Sequence, residues 1–553
     1  MRQYPWQISI YGKGRNGIHH NQQILVIDKD LNLISTFKPS MQNLDKGSMS
    51  FTVSVQYHLK KAGECPIMYS ETPDILSISS HHKIDILSPS EIEELKTGTL
   101  KILSEVGVHF PSKKALTIFA DNGASVDWEK RIVRIPENIV KNAMSNAPRR
   151  FVLGGRNDRF DLTLDGKTSY MTTDGCGVHV IDPETREKRA SRKADVELMA
   201  RVSDALPAVS FFWPMVSAQD HGKTAPLHEC HAGLTNTLKH VRGGTTTHPK
   251  LAPAIVEMAA VVAGSEEERR RRSPVCANIC TIAPLSQDAH GIETALVYAE
   301  AGIPQSFMAM PTMGSTAPAS VLGALAVGDA EVVSAMVLMQ LAYPGTPVFH
   351  SIVSSLMNPR TGGYIGDVPL PVSLIAVQLA HVWNVPSLGG GSFSSDAPDI
   401  GWQSAYEAGF GSVQIPLAGG ELCGYMGLMN SSMILYPEQI ILDSAIAMDV
   451  FDTYKTFDFK DFDVSLDVIR AVGPGGHYLR EKHTRKHIRD FHYSPIFRQL
   501  DGDGKLRQPR DVAIEMFREI SDRHHPEPLE DKKIIEMDKI LDAAEKTAKN
   551  LEE

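Results

Sequence analysis

The stretch whose residues could most readily form a functional site is a short apolar run, followed by glycines and a polar loop. It consists of residues 384–388, Gly389, Gly390, Gly391, Ser392, Phe393 and Asp396. Three successive glycines leave room beside the backbone for a bulky ligand, and small hydroxyls with one carboxylate follow at once. We interpret the stretch as a strand that opens into an active-site loop.

Candidate functional residues also follow other predicted strands, where enzymes built on parallel strands place their functional groups. Asn278, Met310, Gly314 and His350 lie at such positions, and Glu407 lies on the helix after the glycine-rich loop. Their side chains can bind or orient a ligand, but these residue types alone do not define a reaction.

Metal binding is one alternative. His228, Cys230, His231, Cys276 and Cys280 contain the donor atoms of a zinc site. Two histidines three residues apart on a helix point the same way, but the wider ligand spacing of known zinc sites is missing. Cys276 and Cys280, four residues apart on a predicted strand, share one face of it, and free cysteines there are usually small buried residues. We therefore predict no metal ligands.

A serine hydrolase is a second alternative. Such enzymes place the nucleophile in a Gly-x-Ser-x-Gly turn between a strand and a helix. The sequence has no such turn at a predicted strand end, and the loop around Ser392 does not replace it. Hydrolysis is not favoured.

The elements that position these residues alternate between short buried strands and helices from about Lys193 onward. The predicted strands are residues 209–216, 240–244, 275–282, 305–310, 347–353, 387–391 and 421–426, with an eighth near Ile434 or Leu435. The predicted helices between them are residues 227–238, 251–262, 292–300, 319–341 and 372–382. This repeat predicts an α/β protein with parallel strands, and its length favours a (β/α)₈ TIM-type barrel.

Four segments are predicted along the chain. Residues 1–82 form an irregular or poorly ordered extension, 83–192 an α+β preamble, 193–495 the barrel, and 496–553 a helical C-terminal extension. The first predicted helix begins after Ser88, because Ser88, Pro89 and Glu91 have the spacing of a capping box.

The composition is that of an ordinary globular protein. The 553 residues are 42% hydrophobic and 22% charged, with a formal net charge of −10. Without long basic tracts, no surface for nucleic acid or an anionic membrane is predicted. Six cysteines fit a reducing compartment, and no signal pattern or long unbroken apolar run is evident. We expect a cytoplasmic protein, and a homo-oligomer.

The chain from about Ser88 to Ile496 resembles the trimethylamine:corrinoid methyltransferase family, in the branch that lacks pyrrolysine. The matching segments are LSEVG at 103–107, FADNGASVD at 119–127, VRIP at 133–136, APRRF at 147–151, LP at 206–207, STAP at 315–318, GDAEV at 328–332, AYPG at 342–345, VPS at 385–387, VGPGGH at 472–477 and HT at 483–484. The resemblance implies a (β/α)₈ barrel that moves a methyl group from an amine to Co(I). The corrinoid is presented by a partner protein, so we expect no tightly bound cofactor.

The resemblance also points to the substrate. Family members that use trimethylamine carry pyrrolysine in the loop after the sixth strand, at a position that falls near Ser392 here. A tertiary amine is a poor methyl donor until its nitrogen gains a fourth bond, whereas a quaternary ammonium already has four. We therefore expect a quaternary amine such as glycine betaine, proline betaine or carnitine, for which positioning suffices and no general acid is required.

Recognition of such a cation is expected to use aromatic faces and carboxylates. The aromatic candidates are Tyr170, Trp213, Phe349, Phe393 and Trp402, and the acidic ones are Asp174, Asp396 and Glu407. A substrate carboxylate would need His350, Asn278 or backbone donors. Residues expected to face the corrinoid are Gly389, Gly390, Gly391, Met310, Gly314 and His477. The alternatives are a non-catalytic amine-binding barrel and a metal-dependent hydrolase or lyase.

Replacing Ser392 or Phe393 is expected to change the range of amines accepted more than the free energy of unfolding. Relative turnover across a panel of quaternary amines, measured beside denaturant unfolding of the same variants, checks this. Unaltered specificity in both variants would count against a role of the loop in selecting the substrate.

Overall fold

A computed structural model describes residues 71–79, 83–175, 177–245, 248–366, 371–454, 464–488 and 494–551, and the strand backbone at Ile24–Ile27 and Leu33–Phe37. Most of the predicted extension, residues 1–82, lies outside the described residues. The chain divides into a unit of residues 1–68 and 460–491, and a larger unit of residues 69–459 and 492–553.

Helices make up much of the described chain. They are α1 (Pro89–Lys101), α2 (Lys113–Asp121), α3 (Glu137–Met144), α4 (Lys193–Ala205), α5 (Ala225–Asn236), α6 (Ala252–Ala263), α7 (Glu266–Arg271), α8 (Ala289–Ala301), α9 (Val321–Ala342), α10 (Val372–Val382), α11 (Trp402–Ser412), α12 (Gln414–Ala418), α13 (Gln439–Thr453), α14 (Leu466–Val472), α15 (Lys482–His487), α16 (Pro495–Arg498), α17 (Pro509–Arg523) and α18 (Asp531–Lys549).

The strands are mostly short. They are β1 (Ile24–Ile27), β2 (Leu33–Phe37), β3 (Ile78–Ser79), β4 (Val108–His109), β5 (Ser125–Asp127), β6 (Ile132–Arg134), β7 (Phe151–Leu153), β8 (Leu162–Leu164), β9 (Thr168–Thr173), β10 (His179–Ile181), β11 (Lys188–Ala190), β12 (Phe211–Phe212), β13 (His240–Thr245), β14 (Val275–Ile282), β15 (Ser286–Gln287), β16 (Gln305–Ala309), β17 (Thr312–Met313), β18 (Val348–Ile352), β19 (Ser355–Met357), β20 (Tyr364–Ile365), β21 (Leu388–Gly389), β22 (Leu422–Met426), β23 (Leu428–Met429) and β24 (Ile434–Leu435).

The predicted start of α1 is confirmed. Ser88 Oγ accepts the backbone N–H of Glu91, and the Glu91 carboxylate accepts the backbone N–H of Ser88 at 2.8 Å. The helix then continues as a π-helical turn over Ile102–Val106, which ends at Gly107. A Cβ on Gly107, whose φ is +86°, would lie 2.6 Å from the carbonyl oxygen of Val133.

Parallel pairing runs through eight strands. β9 pairs with β12, and the series continues through β13, β14 and β16 to β18. On its other side β9 pairs with β22, which pairs with β21. A parallel bridge between His350 in β18 and Ser387, just before β21, links the two ends of the series. The prediction of an α/β protein with parallel strands is confirmed.

The membership of this series differs from the prediction at two places. β9 was assigned to the preamble, and the predicted eighth strand, β24, pairs instead with β10 and β23. β9 is rich in threonine, unlike the near-continuous apolar strands that usually mark a parallel sheet. Its hydroxyls are satisfied inside the sheet, since Thr172 donates to the carbonyl of Phe211 at 3.0 Å and Thr173 to that of Trp213 at 2.6 Å.

Side chains of these strands alternate between two environments. One face, which we call the inner cluster, packs together with the β7–β8 hairpin. Its buried members are Leu153, Leu162, Leu164, Tyr170, Phe211, Trp213, Cys276, Met308, Phe349, Leu388, Leu422 and Tyr425. Residues at the alternate positions, such as Met171, Phe212 and Phe307, pack against the helices. The helices therefore cover one face of the strands.

α9 is the one helix of the described residues that is long and apolar enough to cross a membrane. It lies inside the protein, with 78% of its most apolar stretch buried. Its Asp329 accepts hydrogen bonds from Thr99 at 2.6 Å and from the Trp383 indole at 3.0 Å, and its Glu331 accepts the Thr281 hydroxyl. These bonds make α9 a core helix.

The smaller unit is described by itself. β1 and β2 pair antiparallel. α14 and α15 follow later in the chain, and Ser465 Oγ lies 2.9 Å from His483 Nε2. His477, predicted to face the corrinoid, lies exposed in the turn between these two helices.

The predicted helical C-terminal extension is tied to the core through a buried carboxylate. Asp204, at the end of α4, accepts hydrogen bonds at 2.7 Å from the Thr237 hydroxyl, the Leu238 N–H and His524 Nε2. Thr72 donates to the same carboxylate from the opposite end of the unit's sequence. Asp204 thus joins four distant segments.

Replacing Asp204 with alanine is expected to lower the free energy of unfolding by about 3–5 kcal/mol, because several buried donors lose their acceptor together. Denaturant unfolding followed by circular dichroism measures the change. Glu137→Ala, which removes a carboxylate from an exposed helical ion pair, is the control and should cost less than about 1 kcal/mol. Equal effects of the two substitutions would contradict the role given to Asp204.

Candidate functional site

A buried polar cluster lies on the inner side of three neighbouring strands. Arg242 of β13 donates to Ser306 of β16 at 3.0 Å and to the side-chain carbonyl of Asn278 of β14. Ser306 also donates to that carbonyl, at 2.6 Å. The Arg242 guanidinium stacks over the indole of Trp213, 3.9 Å from the ring centroid. Two predicted residues, Asn278 and Trp213, are therefore held together by an arginine.

Asp174, the residue after β9, brings a carboxylate to the same region. It is 1% exposed. Burial raises its pKa to about 6, although hydrogen bonds from Ser432 and the Gly175 N–H and the positive charge of Arg242 lower it. A Cβ on Gly175 would lie 2.4 Å from the Trp213 ring, so the residue next to Asp174 packs against the indole. This carboxyl titrates near neutral pH.

A second buried carboxylate, Asp443 of α13, lies behind the first. Burial raises its pKa to about 7, and the negative charge of Asp174 adds to the rise. The Gly427 N–H donates to it at 2.7 Å, and the Gln439 amide donates at 2.8 Å. The two acids share one electrostatic environment.

A third carboxylate, Asp396, fastens the loop after β21 to two other segments. It accepts the Gly366 N–H at 2.7 Å and the Ser431 hydroxyl at 2.6 Å. Partial burial and the negative charges of Asp396 and Asp174 raise the pKa of the Tyr364 phenol to about 12. Tyr364, 52% exposed on β20, therefore places an aromatic ring near both carboxylates.

The segment that supplies the serines has an unusual backbone. Asn430, Ser431 and Ser432 have φ values of +55°, +54° and +63°, a left-handed run that residues with a Cβ rarely adopt. Ser431 and Ser432 contact Asp396 and Asp174 respectively. Tyr425 of β22 also has a positive φ, of +87°, and its ring lies 6.0 Å from that of Trp213. Strained backbone is concentrated where functional groups converge.

The glycine-rich loop has a different use from the predicted one. A Cβ on Gly389 would lie 2.4 Å from Ile415, and one on Gly390 would lie 2.4 Å from Val353. At these two glycines, protein side chains take the space that a Cβ would need. Gly391 has a φ of +81°, which glycine adopts without strain.

Ser392 places a polar side chain inside the loop after β21. It is buried, and its hydroxyl has no hydrogen-bond partner among the described residues. Ser351 Oγ, on the β18 face shared with Phe349, has none there either. A buried hydroxyl without a partner costs free energy, which a bound polar ligand can recover.

Phe393 and Glu407 support the loop from the helix side. Phe393 packs with Val377 and Ile415 and is 1% exposed, so its substitution is expected to affect stability as well as specificity. The Glu407 carboxylate accepts the Ser395 hydroxyl at 2.7 Å and the Asp396 N–H at 3.0 Å. Glu407 therefore fixes the position of Asp396.

Other predicted residues lie away from this cluster. His350 Nε2 lies 2.8 Å from Asp329 of α9, on the helix-facing side of β18. The Tyr170 hydroxyl accepts the Thr163 N–H at 3.2 Å, in the β7–β8 hairpin. Met310 is exposed, and Gly314 has a φ of +89° beside the small sheet formed by β17, β19 and β20. Trp402, at the start of α11, is 87% exposed.

The two strand cysteines belong to the inner cluster, where Cys276 is buried and Cys280 is partly buried. Burial raises the pKa of the Cys276 thiol to about 12 and also raises that of Cys280. Burial in this apolar cluster disfavours the charged thiolate form of both side chains.

Sequence reasoning missed Arg242, Tyr364, Ser431, Ser432 and Asp443. Arg242 gave the clearest signal, as an arginine inside a predicted buried strand. The serines lie on a turn and the tyrosine lies on β20, and these segments meet only in the folded chain.

Comparison with known proteins gives the family. Residues 69–535 match the sequence model described as trimethylamine methyltransferase (MTTB). The chain belongs to this family. It is therefore an enzyme of the methyltransferase type, and methyl transfer to a corrinoid protein is the general role of MTTB proteins.

Curated MTTB relatives resemble the chain over most of their length. It is 30% identical over 466 residues, 83% of this chain and 93% of the relative, to the trimethylamine methyltransferase MttB of Desulfitobacterium hafniense (strain DSM 10664 / DCB-2). It is 29% identical over 419 residues, 75% of this chain and 86% of the relative, to the glycine betaine methyltransferase of Desulfitobacterium hafniense (strain Y51). The crystal structure of the Methanosarcina barkeri monomethylamine methyltransferase aligns with a TM-score of 0.41 at 14% identity, covering 79% of this chain and 93% of that one.

In this MTTB protein the buried acid Asp443 makes stability depend on pH. Its folded-state pKa of about 7 lies above the ordinary value of 3.8, so between about pH 4 and 7 the folded chain holds a proton that the unfolded chain has lost. Stability therefore falls as the pH rises through this window. Asp443→Asn is expected to remove about 4 kcal/mol of that fall, since each pKa unit corresponds to about 1.4 kcal/mol. Chemical unfolding at several pH values measures it.

The matched control for this prediction is Asp452→Asn, an exposed carboxylate on the same helix, which should leave the slope unchanged. The amide introduced by Asp443→Asn can keep both bonds if the Gln439 amide turns over, because Gln439 Oε1 has no partner among the described residues. An identical pH slope in Asp443→Asn and the parent protein would contradict the prediction.

Proposed function

We propose that this enzyme transfers a methyl group from a quaternary amine, of the glycine betaine, proline betaine or carnitine type, to the Co(I) of a corrinoid carried by a separate protein. The observation that carries the proposal is the arrangement of carboxylates and aromatic rings beside the loop after β21, a loop that contains no pyrrolysine. Asp174 and Asp396 supply negative charge, and Trp213, Tyr425 and Tyr364 supply ring faces.

The charges suit a cationic substrate. A quaternary ammonium has no N–H, so it is held by electrostatic attraction and by contact with aromatic faces. Asp174 is nearly fully buried, and there a negative charge attracts a cation more strongly than it would in water. Asp174 and Asp396 bring two carboxylates against the one guanidinium of Arg242, which favours a bound positive charge.

The same region also contains groups that can bind the carboxylate of a betaine. His350, an earlier candidate for this role, already faces Asp329 at 2.8 Å. Arg242 and Asn278 remain as the groups that can face a substrate carboxylate, several strands away from Asp396 in the pairing order. An ammonium near Asp174 and a carboxylate near Arg242 would orient the methyl groups toward the strand ends.

The reaction needs little from side-chain acids and bases. The bond between nitrogen and methyl breaks with both electrons staying on nitrogen, and the amine leaves as a neutral molecule. The partner's Co(I) corrinoid supplies the electron pair for the new bond to carbon. No proton is transferred, so the residues of this chain contribute by orienting the substrate and excluding water. By the family resemblance, the position at which trimethylamine-using members carry pyrrolysine falls near Ser392, whose hydroxyl is buried.

The residues predicted to face the corrinoid differ in how well they could contact it. Met310 is exposed beside a small sheet at the strand ends and can contact a large planar ligand. Gly389 and Gly390 are occupied by packing against Ile415 and Val353 and are less suited to that role. Gly314 has no side chain to obstruct a ligand.

We also propose that the eight parallel strands close into a (β/α)₈ barrel. The support is the pairing series itself, whose two ends are joined by the bridge between His350 and Ser387. The predicted cytoplasmic location, homo-oligomeric state and segment boundaries remain part of the proposal.

The experiment supplies the purified enzyme with a panel of quaternary amines and with trimethylamine, using free Co(I) cobalamin or a cognate carrier protein as acceptor. Formation of methyl-cobalamin is followed by its absorption spectrum. Turnover of a quaternary amine but not of trimethylamine is expected. Binding without turnover would favour the non-catalytic alternative, and absence of both would end the proposal.

Binding is expected to strengthen as the pH rises through about 6, because a cation prefers the ionised form of Asp174. Below that pH the dissociation constant should rise about tenfold per pH unit. Asp174→Asn should weaken binding about tenfold or more at pH 8 and remove this dependence. Isothermal titration calorimetry with the amine that turns over measures both.

Asp399→Asn is the matched control, because it removes one charge from an exposed site in the same loop. It should retain both the affinity and the pH dependence of the parent enzyme. If Asp174→Asn kept the pH dependence, another group would have to be its source.

A further inference from the structure

Three potential metal ligands meet where the C-terminal helix packs on α5. His228 lies on α5, His221 on the turn before it, and Glu545 on α18. One ligand atom from each lies within 4.8 Å of the other two. Glu545 Oε1 is 3.0 Å from His228 Nε2 and 3.9 Å from His221 Nδ1.

The two histidine rings are arranged as neutral groups would be. Their centroids are 3.5 Å apart and their planes differ by 20°. Two imidazolium rings stacked at this distance would repel each other strongly, so at least one ring is neutral. A neutral imidazole has the lone pair with which histidine binds metals. Both rings place a nitrogen toward the same carboxylate.

Two of the three separations between ligand atoms are close to those of a tetrahedral site. Zinc bonds of about 2.0–2.1 Å to nitrogen and oxygen imply ligand atoms about 3.4 Å apart. The two measured separations, 3.0 and 3.9 Å, lie on either side of this value. The Glu545 side chain is 38% exposed and that of His221 is 30% exposed, so both can move. The two stacked rings must also turn, because a metal ion lies close to the plane of each imidazole that binds it.

The surrounding packing holds the ligands in place. One turn further along α5, His231 Nε2 lies 3.2 Å from Asp538 of α18. The helices therefore run antiparallel, and their contact is apolar around Leu541 and Cys230. On the other side of the site, Asp220 accepts the Lys193 N–H at 2.8 Å, which fixes the turn that carries His221.

We propose that His221, His228 and Glu545 bind one divalent transition metal ion, zinc in the first place, with water completing the coordination. Two nitrogens and one carboxylate oxygen are a donor set that zinc accepts. The ion would clamp α18 to the segment that follows β12. Its residues are distinct from the carboxylate and aromatic cluster, so the proposal is independent of the methyl-transfer reaction.

Sequence reasoning weighed His228 with His231 and the cysteines, and predicted no metal. The structure pairs His228 with different partners, because Glu545 is 317 residues away in the chain. His221 was not among the candidates, since it lies on an irregular turn where helical spacing gives no guidance.

The test uses the full-length protein after treatment with a chelator. Zinc is titrated by calorimetry, and Co²⁺ is added as a spectroscopic probe of tetrahedral coordination. One zinc per chain is expected, with an intense visible Co²⁺ band and a rise in Tm on adding zinc. Glu545→Gln and His221→Asn should each weaken zinc binding at least tenfold and abolish the rise in Tm.

The control is His248→Asn. His248 forms another contact between two histidine rings, with His290 at 4.6 Å, but that pair is not part of a three-ligand group among the described residues. The His248→Asn variant should bind zinc with the affinity of the parent protein. Failure of the parent to bind zinc, or equal affinities in Glu545→Gln and His248→Asn, would overturn the proposal.

Discussion

The charge of an arginine buried among parallel strands must be stabilised by partners, because burial removes it from water. Much of the candidate site supplies such partners. Arg242 stacks on Trp213, donates to Ser306 and Asn278, and lies close enough to Asp174 to lower the pKa of that carboxyl. A buried charge without such partners would cost several kcal/mol, about the whole effect of a severe mutation. The strands that carry these residues are therefore held in one register relative to each other, and the same groups define the electrostatics of the site.

A second layer of interactions orients the first. Glu407 fixes Asp396 by accepting its backbone N–H. The left-handed segment at residues 430–432 directs Ser431 toward Asp396 and Ser432 toward Asp174. Neither Glu407 nor the segment needs to touch a substrate to matter. Their effect is to give the carboxylates fixed positions before any ligand arrives, which is the kind of preorganisation that methyl transfer by positioning requires.

Local patterns predicted much of the fold and less of the site. The Ser88 cap and most apolar strands were predictable because short-range sequence determines them, whereas β9 was not, since its threonines conceal a buried parallel strand. His350 was assigned to the site although strand alternation places it on the face opposite Phe349, a conclusion the sequence already permitted. Tyr364 and Ser432 were unpredictable for another reason: β20 and the turn at Ser432 approach Asp174 only through long-range folding.

The packing of α18 on α5 has a consequence for the order of folding during synthesis. Domains fold largely from the N-terminal side as the chain emerges. Met537, Leu541 and Ala544 of α18 complete a core whose other members include Leu227 and Met258. Until α18 leaves the ribosome, the apolar surface that these three residues cover lacks their contacts. The core around Leu227 and Met258 is therefore completed only when α18, at the end of the same unit, has been synthesised.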